Sequence, residues 1–402
     1  MKPSSVINRA GRLWALTGLM LLALNLRAAI TGISPMMGDL QATFQLSGVE
    51  VSCLATLPVL CLGGFASLAA PMAHRVGTET TIVGALTLLT TGILLRAFPS
   101  TVLLFTGTVL AGAGIAVGNV LLPVVVKRHF AARVGSLTGL AMMLMAGSGA
   151  LAAGLAIPLH DAAGWRSALA VWAVPSLIAA LTWGPLAARG RRAHPHVSHT
   201  AAARGDSLLR SPLAWAVAGF LGMVSLLFYA LMAWLPEIMH DDGFAPTEAG
   251  MMVSVIQIIS IPLGFAVPVL ATRLPTQRPL ITGIAVTKAV ALFGILLAPR
   301  AGWLWIAFLG LATGSAFPLA FTLLSLRSPS APVAARLSGM AQSGGYLVAA
   351  LGPLTIGLTH SLTGSWTVPL LLLIALLIPE TALGLLAGRP AFVRPAAGRA
   401  HG

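Results

Sequence analysis

Acidic groups are scarce in this chain: ten Asp and Glu stand among 402 residues, against 24 Lys and Arg, and charged residues make up only 8 %. Soluble globular proteins carry about a quarter charged residues, so that class is excluded. Cysteine is nearly missing as well. Cys53 and Cys61, the two present, share one apolar run, which excludes a disulfide framework and a thiolate metal set. Both read as packing residues facing lipid or core. No His-Glu-x-x-His, paired intramembrane aspartates or nucleophile elbow occurs, so neither an enzyme nor a cofactor or metal is expected.

What fills the chain instead is apolar: 57 % of the residues are hydrophobic. Apolar windows bounded by Gly, Pro and charge predict twelve membrane-spanning helices, at 13–35, 49–70, 80–98, 102–126, 134–158, 165–187, 213–236, 248–271, 279–298, 302–326, 334–359 and 367–387. A spanning barrel would show alternating strands of about ten residues, so the fold class is an all-α membrane protein. Lys2, Arg9 and Arg12 before the first span imitate a secretory signal, but the apolar run continues past Arg27 with no small-x-small cleavage site, so this helix is expected to stay.

Loop charges test the count. With both termini cytoplasmic, the only Lys and Arg left on the opposite side are Arg96, Arg166 and Arg300, at or beyond span ends, and only Arg27 and Lys288 lie well inside spans. The formal charge of +14 is thus a topology signal, not a nucleic-acid footprint. The longest polar interruption, 188–212, is a basic cytoplasmic linker between halves 1–187 and 213–402. Its His194, His196 and His199 read as solvated side chains.

The halves resemble each other. Trp14 and Trp215, Gly18 and Gly219, and Pro35 and Pro236 each stand 201 residues apart, and Arg128 recurs as Arg327. Ala132-Arg133 matches Ala335-Arg336, and Trp165 matches Trp366. In order and at nearly constant offset, these predict a duplicated six-helix unit, with a substrate site between parallel repeats near mid-membrane.

Arg27 is the residue that topology does not explain. A guanidinium near the middle of a span costs at least about 2.5–3.5 kcal/mol on insertion scales, so it should face a bundle interior or a watery cavity. It either packs against backbone carbonyls or neighbouring amides, or binds an anion. Seven acids lie at the outer side (Asp39, Glu50, Asp161, Glu237, Asp241, Asp242 and Glu248) and Glu79 and Asp206 at the inner side, leaving Glu380 alone within a span. The cavity is therefore expected to be cationic or neutral, with the substrate itself supplying the negative charge.

The candidate substrate-binding set is Arg27, Thr31 one turn later on the same face, Asn119, Tyr229, Gln257, and Gln342 with Tyr346 four residues on. Lys288 is read as a lysine that snorkels towards the interface, against a second buried cation with a functional role. Trp234 is read as either a membrane-interface anchor or a ligand contact. Gly112, Gly114 and Gly118 allow close helix approach. Gly139, Gly147, Gly149 and Gly154, and Gly339, Gly344, Gly345, Gly352, Pro353 and Gly357, make spans five and eleven candidates for movement in alternating access, against a reading as plain packing; Gly352 and Pro353 are the expected bend.

At these residues the chain resembles the cyanate permease and 2-nitroimidazole transporter family of the major facilitator superfamily. The resemblance is carried by LRAAITG around Arg27, TLPVL at Thr56 to Leu60, GIAVGNVLLPVVVKRHF at Gly114 to Phe130, SPLAW at Ser211 to Trp215, AWLPEI at Ala233 to Ile238 and LSGMAQSGGYLVAALGP at Leu337 to Pro353. It implies the major facilitator fold in a bacterial inner membrane. The implied function is secondary transport of a small anion or a small planar acidic or nitro-aromatic compound, by a monomer, with or without a coupled proton. A proton-coupled exporter of neutral or cationic drugs is the alternative. The resemblance also implies a gate in the loop after span two, where Arg75 and Gly77 match the superfamily pattern but its acid and basic pair do not; Lys127, Arg128 and Arg133 are the expected substitutes. It further implies that span twelve is peripheral, which makes Glu380 an interfacial or packing acid.

Overall fold

A computed structural model describes residues 9–33, 36–193 and 208–393. Among them there is no strand, and twelve helices are long and apolar enough to cross a membrane. The described residues divide into two compact units. One runs to Ala132 and resumes at Gly147; the other takes Arg133–Ala146 and the chain after the linker. His194, His196, His199, Asp206, Lys2 and Pro35 lie outside the described residues.

The first unit holds α1 (Arg9–Thr31), the short α2 (Met37–Phe44), α3 (Gly48–Val76), α4 (Thr78–Arg96), α5 (Thr101–His129), the second part of α6 (Val134–Ala170) and α7 (Ala173–Ala193). α3 starts on a reciprocal cap, in which Ser47 Oγ accepts from the Glu50 amide and the Glu50 carboxylate accepts from the Ser47 amide. Gly77, at φ +90°, is the single residue between α3 and α4, a conformation that glycine adopts without a Cβ penalty. Gly164, at φ +77°, breaks the helical geometry of α6, so that helix carries span five and, past the kink, only the start of span six, which continues in α7.

α5 is buried along nearly its whole length, and glycine makes that possible. A Cβ on Gly92 of α4 would stand 2.5 Å from the Ala111 nitrogen of α5, and one on Gly114 would stand 2.5 Å from the Ala85 carbonyl of α4. Gly112 lies against Cys61 of α3 and Gly118 against Leu26 of α1. Without a strong hydrophobic drive between helices in lipid, such close backbone approach supplies the packing. α1 is pinned to α7 by side chains: Trp183 Nε1 donates to the Gly18 carbonyl at 2.9 Å, and Asn25 Nδ2 donates to the Pro175 carbonyl at 3.1 Å.

The second unit comprises the start of α6 and α8 (Pro212–Asp241), α9 (Pro246–Arg273), α10 (Arg278–Leu297), α11 (Gly302–Leu326), α12 (Ala331–Thr363) and α13 (Thr367–Ala387). α8 and α12 touch backbone to backbone, because a Cβ on Gly222 would stand 3.1 Å from Gly345 Cα. Trp234 of α8 donates from Nε1 to the Pro353 carbonyl at 2.8 Å and lies over Gly357. It clamps the two helices together. Gly345, Gly352 and Gly357 are thus occupied in packing, and Gly344 has nothing within 4 Å. α9 meets α11 at Ser260 and Gly314, and Trp305 of α11 covers Gly294 of α10.

Candidate functional site

In the first unit, Arg27 and Thr31 are half-buried and meet α6 together. Thr31 Oγ1 lies 3.1 Å from the Arg27 carbonyl and 2.9 Å from the Gly149 carbonyl, so its one proton is committed to backbone oxygen and only its lone pairs are left to a ligand. The Arg27 stem lies on the same glycine, with Cγ and Cδ 3.2 and 3.4 Å from where a Cβ at 149 would stand. Asn119 is buried in α5, next to the glycine that receives Leu26.

The second unit holds the other predicted residues. Gln342 is fully buried and donates from Nε2 to Ser338 Oγ at 2.7 Å, inside its own helix. Tyr346 is buried one turn on, beside the Gly222–Gly345 contact. Tyr229 and Gln257 are half-buried. The Tyr229 ring stands edge-on to Phe228 with centroids 5.5 Å apart, and Phe228 leads on to Phe317 and Phe321.

One expectation about buried charge is corrected. Lys288 does not snorkel: it is 1 % exposed, and Nζ reaches the Glu380 carboxylate at 2.6 and 2.9 Å. Glu380, 4 % exposed, is the other half of a buried ion pair joining α10 to α13, which is the packing role among its readings. Both charges find their compensation inside one unit, as charges buried in an apolar bundle require. Arg96 is corrected as well. Counted as a loop charge, it is the last residue of α4, 2 % exposed, and donates from Nη1 to the Ala29 carbonyl of α1 at 2.7 Å.

The expected gate residues separate. Arg75 is exposed and has no ion pair among the described residues; Arg133 is exposed in a 3₁₀ turn, and Lys127 is half-buried. Arg128 is the one that finds an acid. Its Nη1 stands 3.2 Å from Oε1 of Glu79, and His129 Nε2 stands 3.3 Å from the same oxygen. Glu79, 7 % exposed in the first turn of α4, was not among the expected gate residues, because it follows the glycine of the loop pattern, where the superfamily's acid precedes it. In the second unit, Arg327 is buried at the matching place. It bonds the Gln277 side chain before α10 and donates from Nε to the Ala387 carbonyl at 2.7 Å, and burial lowers its pKa from the ordinary arginine value. The 199-residue repeat thus pairs an arginine with a carboxylate in one unit and with an amide in the other.

A profile of the Major Facilitator Superfamily matches residues 19–353. The chain belongs to that superfamily. It is 35 % identical to the 2-nitroimidazole transporter of Escherichia coli (strain K12), over 98 % of this chain and 100 % of that protein. To the cyanate transport protein CynX of the same organism it is 28 % identical, over 87 % of this chain and 90 % of the relative. These similarities put it, within the superfamily, in the family that its motifs resembled. The solved structure of the proton:xylose symporter XylE bound to 6-bromo-6-deoxy-D-glucose shares the fold, with a TM-score of 0.71 at 14 % identity over 96 % of this chain and 98 % of that one. The protein is therefore a multi-pass membrane transporter of the secondary class and not an enzyme. Among the described residues no three His, Cys, Asp or Glu group as a metal site would.

Proposed function

We propose that this chain carries a small anion, or a small planar acidic or nitro-aromatic compound such as cyanate or a 2-nitroimidazole, by alternating access in a bacterial inner membrane with both termini cytoplasmic. The observation that carries the reading is Arg27, a half-buried arginine within α1 whose stem is seated on α6. A guanidinium there offers a planar, permanently charged fork suited to carboxylate, nitro and cyanate groups. Asn119, Gln257 and Gln342 would add hydrogen bonds, Thr31 an acceptor, and Tyr229 and Tyr346 aromatic walls. The two six-helix halves, 1–187 and 213–402, would move about the linker 188–212, with Glu79, Arg128 and His129 as the gate and Gly352 and Pro353 as the bend. The similarity to 2-nitroimidazole and cyanate transporters supports this substrate class.

The proton-coupled drug exporter has less support, because such a carrier needs a titratable acid within the membrane. Glu380 of α13 has both carboxylate oxygens on Lys288, and Glu79 at the start of α4 is held by Arg128 and His129.

The test is thermal unfolding of the purified protein with cyanate, nitrite, 2-nitroimidazole and 4-hydroxybenzoate, followed by flux of any stabilising compound into proteoliposomes. At least one compound is expected to raise the melting temperature of the wild type and not of Arg27→Ala, through its linkage to the folded state. Undiminished flux in Arg27→Ala would remove the anion-site reading.

A further inference from the structure

Three glycines lie along the middle of α6, at 147, 149 and 154, and their surroundings differ. A Cβ added to Gly147 or Gly154 would meet no heavy atom within 4 Å. A Cβ added to Gly149 would meet Arg27 Cγ at 3.2 Å, Arg27 Cδ at 3.4 Å and Thr31 Oγ1 at 3.4 Å. The backbone of Gly149 is held from the same side, since its carbonyl accepts from the Thr31 hydroxyl at 2.9 Å. One turn further on, Gly32 sits against Trp172 and Ala152, and on the opposite flank Leu26 fills the hollow left by Gly118 of α5. The register of α1 against α5 and α6 is thus set on both sides of Arg27, and the place where its methylene stem lies is the bare backbone of residue 149.

Arginine is among the side chains with most rotamer freedom, roughly 2 kcal/mol of it. An anion site needs its guanidinium held within about 0.5 Å of the productive place. A stem laid along a helix backbone and blocked on one side has fewer rotamers to sample. We propose that Gly149 is the positioning residue for Arg27: the missing side chain is the seat that fixes where the guanidinium reaches. The proposal rests on the reading of Arg27 as the substrate's anion site and adds to it the residue that sets the geometry.

At 3.2–3.4 Å the contact is tight, and the stem must give way to a methyl group by a few tenths of an ångström. A displacement of about 1 Å from productive geometry costs about 10²-fold, so a shift of that smaller size should cost about two- to tenfold.

The experiment compares Gly149→Ala with Gly147→Ala and Gly154→Ala in the full-length protein, with Arg27→Ala as reference. The first readout needs no substrate: the rate at which phenylglyoxal labels Arg27, followed by peptide mass mapping. Gly149→Ala is expected to change that rate by about threefold or more, with the other two alanines matching the wild type. Equal rates in all three would overturn the proposal. The second readout is proteoliposome uptake of labelled 2-nitroimidazole and cyanate. Gly149→Ala is expected to raise KM by about two- to tenfold with the maximal rate kept within about twofold. A fall in maximal rate together with a lower melting temperature would mark Gly149 as a packing glycine and nothing more. Should Arg27→Ala abolish uptake while Gly149→Ala behaves like Gly147→Ala, the positioning role fails and the anion site stands; should Arg27→Ala transport normally, the anion site itself fails.

Discussion

Lys288 of α10 and Glu380 of α13 form a two-point contact, Nζ to Oε1 at 2.6 Å and to Oε2 at 2.9 Å, with both side chains withdrawn from the surface of their unit. Removing one member strands the other charge in an apolar bundle, which costs about 3–5 kcal/mol in comparable buried pairs, whereas replacing both with apolar residues of similar volume is often neutral. Glu380→Gln and Lys288→Met are each expected to lower the melting temperature sharply, and the double variant Lys288→Met/Glu380→Met to recover most of the loss. Additive losses in the double variant would show that the two side chains do not act as a pair.

At the basic end of the first unit, Glu79 serves both Arg128 and His129. Arg128 is partly exposed, so solvent screening reduces the value of its bond, and Glu79→Gln is expected to cost about 1 kcal/mol of stability. Gln277→Glu, which gives Arg327 the carboxylate that Arg128 already has, should be tolerated. Chemical denaturation of the two single variants checks both statements, and a Gln277→Glu protein that fails to fold would contradict the equivalence of the two places.

Gly345 and Gly344 are adjacent in sequence and opposite in circumstance. Gly345 abuts the backbone of Gly222, which cannot move aside as a side chain would; Gly344 has nothing within 4 Å. Gly345→Ala should destabilise by about 1–3 kcal/mol through overpacking. Gly344→Ala should be neutral or stabilise by up to about 1 kcal/mol, from helix propensity alone. Melting curves of the two purified variants distinguish these outcomes, and equal effects would refute the crossing at Gly222.

Asp242, just past α8, has its pKa raised, first by desolvation and then by the neighbouring Asp241 charge. A carboxyl raised in the folded state favours folding below its unfolded value, near 3.9, and loses that contribution as pH climbs through the folded value. At pH 7 the residue therefore weakly opposes folding. Asp242→Asn should raise stability there by a few tenths of a kcal/mol, a small sum because the group is largely solvated, with the gain vanishing towards pH 4. A gain that persisted unchanged at pH 4 would assign the effect to something other than charge.

The twelve spans were legible because length and apolarity alone define a membrane helix, and the repeat because Arg128 and Arg327 keep their offset. What stayed hidden was partnership. Nothing in the local sequence around Lys288 announces a glutamate 92 residues later, and the one-dimensional pattern cannot say whether Gly149 is a seat while Gly147 is open. Arg96 was counted with the loops because a span's last residue and a loop's first look alike in a hydropathy window. Gln342 carries in sequence the signature of any amide in a span, which is the same whether a ligand or a neighbour such as Ser338 is its partner.

Gly77 ends α3 and begins α4 with no residue to spare, and the carboxylate of Glu79 hangs two residues beyond it. Such a joint has no slack. Any tilt of α3 within its unit arrives at Glu79 as a torque about a single Cα, where a longer loop would have absorbed it as strain spread over several bonds. The contact of Glu79 with Arg128 and His129 thus lies two residues from the single pair of dihedrals through which α3 and α4 are joined.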